Sequence, residues 1–252
     1  MSLLTDHIYK IDALYDKGVK VTDDLFQMPI LKSVSFTPTR IVGSNYLKIK
    51  SDKEKYNFGI HFFLDDNLLE RFWSAPARYT NLLKKYECMF TPDYSLYTDM
   101  PLPMQIWNTY RNRFLGAYYQ SEGITVIPTV SWSTKESYDF CFSGLPKGST
   151  LAISTIGSRT NKETIALWKD GVSELIKRTK PTSLLIYGPK IDFNFGDIKV
   201  KFFENEIIKH LEKVTKINRE KKREERKAKE AAKKEDRDKK NNEIEHEKKE
   251  VA

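Results

Sequence analysis

The sequence predicts an α/β fold: a mostly parallel sheet built from β-α-β units, followed by a charged C-terminal tail. Three observations predict it. Short apolar runs rich in β-formers alternate with stretches of helical periodicity. Those runs are continuous rather than alternating with polar residues, as in strands covered on both faces. After Ile217 the apolar pattern stops, and the chain becomes mostly Lys, Glu, Arg, Ala and Asp. Periodicity does not encode strand order, so an open doubly wound sheet and a partial barrel both satisfy it. The expected domains are an α/β domain over 1–215 and a low-complexity tail over 216–252, helical or disordered.

The elements are justified in chain order. Residues 5–16 carry Ile8, Ile11, Leu14 and Tyr15 on one face, between a Thr5 cap and Gly18. Strands are expected near Val34–Phe36 and Arg40–Val42, and residues 45–55 read as a polar, Lys-rich loop or hairpin. Phe58–Leu64 is an apolar run. Asp65 and Asp66 open a helix with Leu68, Leu69, Phe72 and Trp73, broken or restarted at Pro76. Cys88–Phe90 is the next strand. A helix over about 104–122 carries Trp107, Tyr110, Phe114 and Tyr118 and ends at Gly123. Strands follow at Ile124–Val130 and Leu151–Ile156. Thr160 to Glu163 fits a capping box for a helix that ends before Pro181. Ser183–Tyr187 is a strand, and the alternation of Ile198, Val200 and Phe202 suggests one more at an edge. An amphipathic turn set with Ile207, Ile208, Leu211 and Val214 closes the domain.

Charge bounds the function classes. The 252 residues hold 43 Lys+Arg and 35 Asp+Glu, a net charge of +8. Residues 216–252 contain 15 basic and 11 acidic side chains, so half of that excess lies in the tail. A mild basic balance suits a polyanion such as nucleic acid without deciding for it. Cys88 and Cys141 are far apart, which reads as two free thiols in a reducing compartment. Residues 1–10 lack the apolar run of a signal peptide. No stretch approaches the ~18 apolar residues of a membrane span. The expectation is a cytoplasmic protein with no membrane partner.

Ligands of parallel sheets bind beyond the carboxyl ends of the strands. That rule nominates Asp65, Asp66, Asp93, Thr129, Ser131, Trp132, Ser154, Thr155, Tyr187 and Gly188. Asp93, Ser131 and Thr155 are the catalytic candidates, with Asp93 as acid, base or cation contact, Arg111 as anion contact and Trp132 as a wall. Arg111 and Arg113 suit phosphates, with Tyr94, Tyr97 or Trp132 as stacking faces for bases. Gly157 and Ser158, followed by Arg159, precede a helix N-terminus and suit an anion, although no Walker or dinucleotide signature is present. A structural alternative stands beside each. The aspartates cap or turn, the arginines lie on the surface or pair with Asp93 and Asp99, and the tyrosines pack on the sheet. His7, His61, His210 and His246 have no metal spacing, no triad is visible, and no cofactor is implied.

Several segments resemble a known family. They are Phe90-Thr91-Pro92-Asp93-Tyr94-Ser95-Leu96-Tyr97, Met100-Pro101, Gln105-Ile106-Trp107-Asn108-Thr109-Tyr110-Arg111, Gly123 through Trp132, and Lys147-Gly148-Ser149 with Ser154 through Gly157. Over roughly residues 55–190 the chain resembles the bacterial and phage family called domain of unknown function 4417. The resemblance implies a protein carried by phages, plasmids or integrative elements, and it brings no catalytic residues. Three functional classes follow in order. The first is a mobile-element or phage accessory protein associated with nucleic acid. The second is an enzyme with a nucleotide or small-molecule pocket at the strand ends. The third is an interaction protein acting on a host factor.

Overall fold

The computed structural model describes residues 17–47 and 55–204. The expected helix over 5–16, most of the 45–55 stretch, the apolar set after Glu204 and the tail lie outside the described residues. Two units divide the chain, Met1–Phe203 and Glu204–Ala252, and the first holds every element described here.

Seven strands run β1 (Ile41–Gly43), β2 (Tyr56–His61), β3 (Tyr86–Phe90), β4 (Val126–Ile127), β5 (Thr150–Ser154), β6 (Ser183–Tyr187) and β7 (Lys199–Phe203). Among the described residues five α-helices lie between them: α1 (Asp66–Ser74), α2 (Pro76–Leu83), α3 (Leu102–Ser121), α4 (Tyr138–Cys141) and α5 (Lys162–Thr179). Pro76 is the first residue of α2, where its missing N–H costs no helical bond. Gly123, at φ +81°, ends α3 as its position predicts.

Every strand pair is parallel, and the order follows the chain. One sheet is β1-β2-β3-β4 and the other β5-β6-β7. A parallel bridge between Thr129 and Ala152 joins them. Two backbone bonds make that bridge, Val130 N to the Ala152 carbonyl and Ala152 N to the Pro128 carbonyl, each 2.8 Å. Among the described residues the strand order never reverses, so they form none of the switch points of a doubly wound sheet. With one crossover hand, sequential parallel strands curl.

Two contacts show the curl. Tyr187 at the end of β6 stacks on Phe63, just past β2, at 4.7 Å between ring centroids. Four strand spacings in a flat sheet would separate them by about 19 Å. Lys201 of β7 donates to the carbonyls of Pro38 and Thr39, just before β1, at 2.6 and 3.1 Å. Of the two architectures the sequence left open, the partial barrel is the one formed.

Strand alternation divides the core. Ala152, Leu185, Tyr187 and Phe203 join Ile60, Cys88, Phe90 and Ile127 in one cluster. Their chain neighbours Leu151, Ile153, Leu184 and Ile186 pack instead with Trp168, Val172 and Leu175 of α5.

Four local expectations change. Residues 34–36 form no strand; Val34 crosses the start of β5, donating to Ser149 Oγ and accepting from Thr150 N. The run Ile124–Val130 shortens to β4 plus the isolated bridge, because Pro128 has no N–H for the ladder. The cap of α5 is Asn161, not Thr160: Asn161 Oδ1 accepts from Thr164 N at 2.8 Å, and Thr164 Oγ1 accepts from Asn161 N at 3.2 Å. In α3, Trp107 of the predicted apolar stripe is 45% exposed, whereas Asn112 and Arg113 are buried.

Candidate functional site

The carboxyl ends of β3 and β4 place two nominated side chains together. Phe90 pairs with Ile127 at the last register position. The ladder continues briefly past both ends, through Thr91 N to the Ile127 carbonyl at 3.0 Å and Thr129 N to Thr91 Oγ1 at 2.7 Å. Asp93 lies three residues beyond β3 and Ser131 four beyond β4. There the Ser131 hydroxyl donates to Asp93 Oδ1.

The electrostatics of Asp93 are unusual for a residue that still reaches solvent. Part of its surface is accessible, yet protein surrounds it closely enough for burial to push its carboxyl up to about 7. The Ser131 hydrogen bond pulls the other way, and the Asp66 charge adds to the rise. Asp66 does not cap α1. Its Oδ1 accepts from Ser95 N at 3.1 Å and Ser95 Oγ at 3.0 Å, linking the start of α1 to the loop after β3.

Helix α3 holds these loops through a polar stripe. Ser133 Oγ donates to Gln105 Oε1 at 2.5 Å, and Asn108 Nδ2 donates to the Ser95 carbonyl at 2.7 Å. Asn112 Nδ2 donates to the carbonyls of Pro92 and Thr129 at 2.8 and 3.2 Å. Gln105, Asn108, Thr109 and Asn112 recur at i, i+3, i+4 and i+7, so the stripe has its own helical period.

The two arginines are engaged within the protein. Arg111 pairs with Glu70, donates to Asn108 Oδ1 at 2.7 Å and lies 3.8 Å above the Tyr94 ring. Arg113 is 2% exposed and donates to Asn112 Oδ1 and to the carbonyls of Cys141 and Ser143. Neither pairs with Asp93 or Asp99 in these bonds. Tyr94 is buried and Tyr97 exposed.

The other nominated residues sit elsewhere on the strand ends. Trp132 donates to the Leu167 carbonyl at 3.3 Å and lies against Gly171 of α5. Thr155 is buried and donates to the Pro189 carbonyl at 2.8 Å. Gly157 is exposed, and Ser158 N closes a turn onto the Thr155 carbonyl. Asp93 and Ser131 are thus brought together, whereas the bonds of Thr155 and Ser158 run to Pro189 and within their own turn. Sequence reading did not single out His61, which is 6% exposed at the end of β2 with its ring 4.6 Å from that of Tyr187. Burial pulls its imidazole down to about 4, so it is neutral at pH 7. Among the described residues no cluster of His, Cys, Asp or Glu could hold a metal ion.

A family model described as Domain of unknown function (DUF4417) matches residues 21–206. The chain belongs to that family. The match is wider than the 55–190 resemblance and takes in the seven strands described above. Among similar proteins, the Gene 1 protein of Mycobacterium phage L5 is 42% identical over 179 residues, covering 71% of this chain and 78% of that protein. The Gene 1 protein of Mycobacterium phage D29 is 38% identical over 179 residues, covering 71% and 66%. No solved structure matches the chain. The DUF4417 match includes Asp93, Ser131 and Asn112 and stops before the charged tail. Among the described residues no helix is long and apolar enough to cross a membrane.

Proposed function

We propose that this member of a phage-associated family takes a small polar ligand at the carboxyl-end rim of its strands, where Asp93 gives or takes a proton. The observation that carries the reading is the Ser131–Asp93 pair. A general acid or base works best with a midpoint close to the working pH, and Asp93 is held at about 7 while still touching solvent. Thr129, two residues before Ser131, supports it with a buried hydroxyl that has no hydrogen-bond partner. The free thiols of Cys88 and Cys141 suit work in the host cytoplasm.

Thermal shift against nucleosides, nucleotides, sugars, amino acids and their amides tests the reading. A ligand that stabilises the wild type and loses that effect in both Asp93→Asn and Ser131→Ala is the expected result. A set in which every shift survives both substitutions excludes the rim.

The net charge of +8 favours a second reading, association with nucleic acid. Its support comes from overall charge, because Arg111 and Arg113 are both bonded within the protein. Fluorescence anisotropy on single- and double-stranded DNA and RNA across a salt series tests it, using the full chain and a version ending at Thr215. Phosphate contacts weaken steeply with salt, and binding indifferent to salt excludes them.

A further inference from the structure

We infer that Asn112 is a positioning residue that sets the reach between Asp93 and Ser131 by clamping the two loops that carry them. The inference rests on the rim reading and adds to it the residue that builds the rim.

Past Phe90 and Ile127 the strands β3 and β4 no longer pair residue for residue, so their loops need an outside tie to stay in register. Thr91 supplies the first, by bonding Thr129 N. Asn112 supplies the second. A primary amide has two N–H groups, and the Asn112 nitrogen has two carbonyls within reach, one from each loop. Pro92 immediately precedes Asp93, and Thr129 stands two residues before Ser131. A change in either bond therefore moves one partner of the pair against the other.

The orientation of the amide is fixed independently. Arg113 Nη1 donates to Asn112 Oδ1 at 2.6 Å. Turning the amide over would set its N–H groups against the guanidinium and its oxygen against two carbonyl oxygens. The guanidinium cannot turn to suit, because its remaining nitrogens are bonded to the carbonyls of Ser143 and Cys141. The clamp is consequently rigid at both ends. Asn112 is 7% exposed, Arg113 2%, and their bonds compete with little water.

The experiment follows the carboxyl carbon of Asp93 by NMR through a pH titration, alongside thermal melts. It compares wild type, Asn112→Ala, Asn112→Ser and Leu175→Ala. Leu175, on the buried face of α5, is fully buried and serves as a control for general destabilisation. The expected result is a midpoint near 7 in the wild type, displaced by about one pH unit or more in both Asn112 variants. Leu175→Ala lowers the melting temperature and leaves the midpoint where it was.

A wild-type midpoint in the ordinary carboxylate range overturns the rim reading itself. A midpoint near 7 that both Asn112 variants retain overturns the clamp and leaves the rim reading standing. The wild type supplies a measurement that needs no variant to fold: exchange of the Asn112 side-chain amide protons. Slow exchange of both is expected, and exchange at the rate of a free side-chain amide overturns the clamp.

Discussion

Ser131 donates its hydroxyl to the carboxylate of Asp93, 38 residues earlier in the chain, and so ties the loop after β4 to the loop after β3. Each of these residues alone resembles an ordinary loop residue. Burial around the pair holds the Asp93 carboxyl at about 7, against the downward pull of that hydrogen bond.

The first prediction concerns stability against pH. Asp93 has a folded midpoint of about 7, above its ordinary 3.8. Between those values the folded state binds more protons than the unfolded, so this residue's contribution falls as pH rises through the window. Asp93→Asn removes the penalty. Urea denaturation at about pH 8 is expected to show the variant more stable than wild type, by at most about 4 kcal/mol. At about pH 4 the advantage disappears. A variant less stable at both would refute the assignment.

His61 has the opposite sign. Its folded midpoint of about 4 lies below the ordinary 6.5, because burial disfavours the imidazolium. The unfolded state binds the extra proton, so stability is lost as pH falls from about 6.5 towards 4. His61→Phe keeps an aromatic ring beside Tyr187 and cannot titrate. The drop in unfolding free energy between about pH 7 and pH 5 is expected to be smaller in this variant by about 1–2 kcal/mol.

Gly171 admits no side chain. A Cβ built there would stand 2.0 Å from the Trp132 indole nitrogen. Gly171→Ala is expected to displace Trp132, break its bond to the Leu167 carbonyl and cost about 1–3 kcal/mol. Tryptophan emission and a urea titration report both effects. An unchanged midpoint would show that α5 and the Trp132 loop part at no cost.

Neither thiol is expected to react readily. Burial pushes Cys141 up to about 11 and Cys88 higher still. Alkylation of the native protein by iodoacetamide at about pH 8 should proceed only as fast as the protein opens, and urea should release both thiols. Rapid native labelling at either position contradicts their burial.

Much of this architecture is legible in the sequence, and the exceptions have physical causes. Ser183–Tyr187 is an uninterrupted apolar run and forms β6 over those same residues. The strand at Val34–Phe36 fails because apolar content does not reveal whether a segment has a neighbour to pair with. Rim residues Asp93 and Ser131 are predictable from the rule on strand ends, but their bond depends on a register that no local pattern specifies. Asn112 escapes local patterning for a different reason. Amphipathicity assigns Asn and Arg to solvent, whereas α3 buries its polar residues against backbone carbonyls that the loops leave open. The stripe of Gln105, Asn108, Thr109 and Asn112 is the signal that would have found it.

Strand order also bears on how the chain assembles during synthesis. A ribosome releases residues from the amino end, and here each new strand finds its partner in the strand just completed. The first sheet can therefore zip together while later residues are still in the exit tunnel. The second adds through the two bonds around Thr129 and Ala152. The β6–β7 ladder and the latch from Lys201 to Pro38 and Thr39 wait for translation to pass β7. Such vectorial growth lets strand pairing proceed between neighbours in order, and leaves the distant ties, Val34 to β5 and Lys201 to Pro38, to close afterwards.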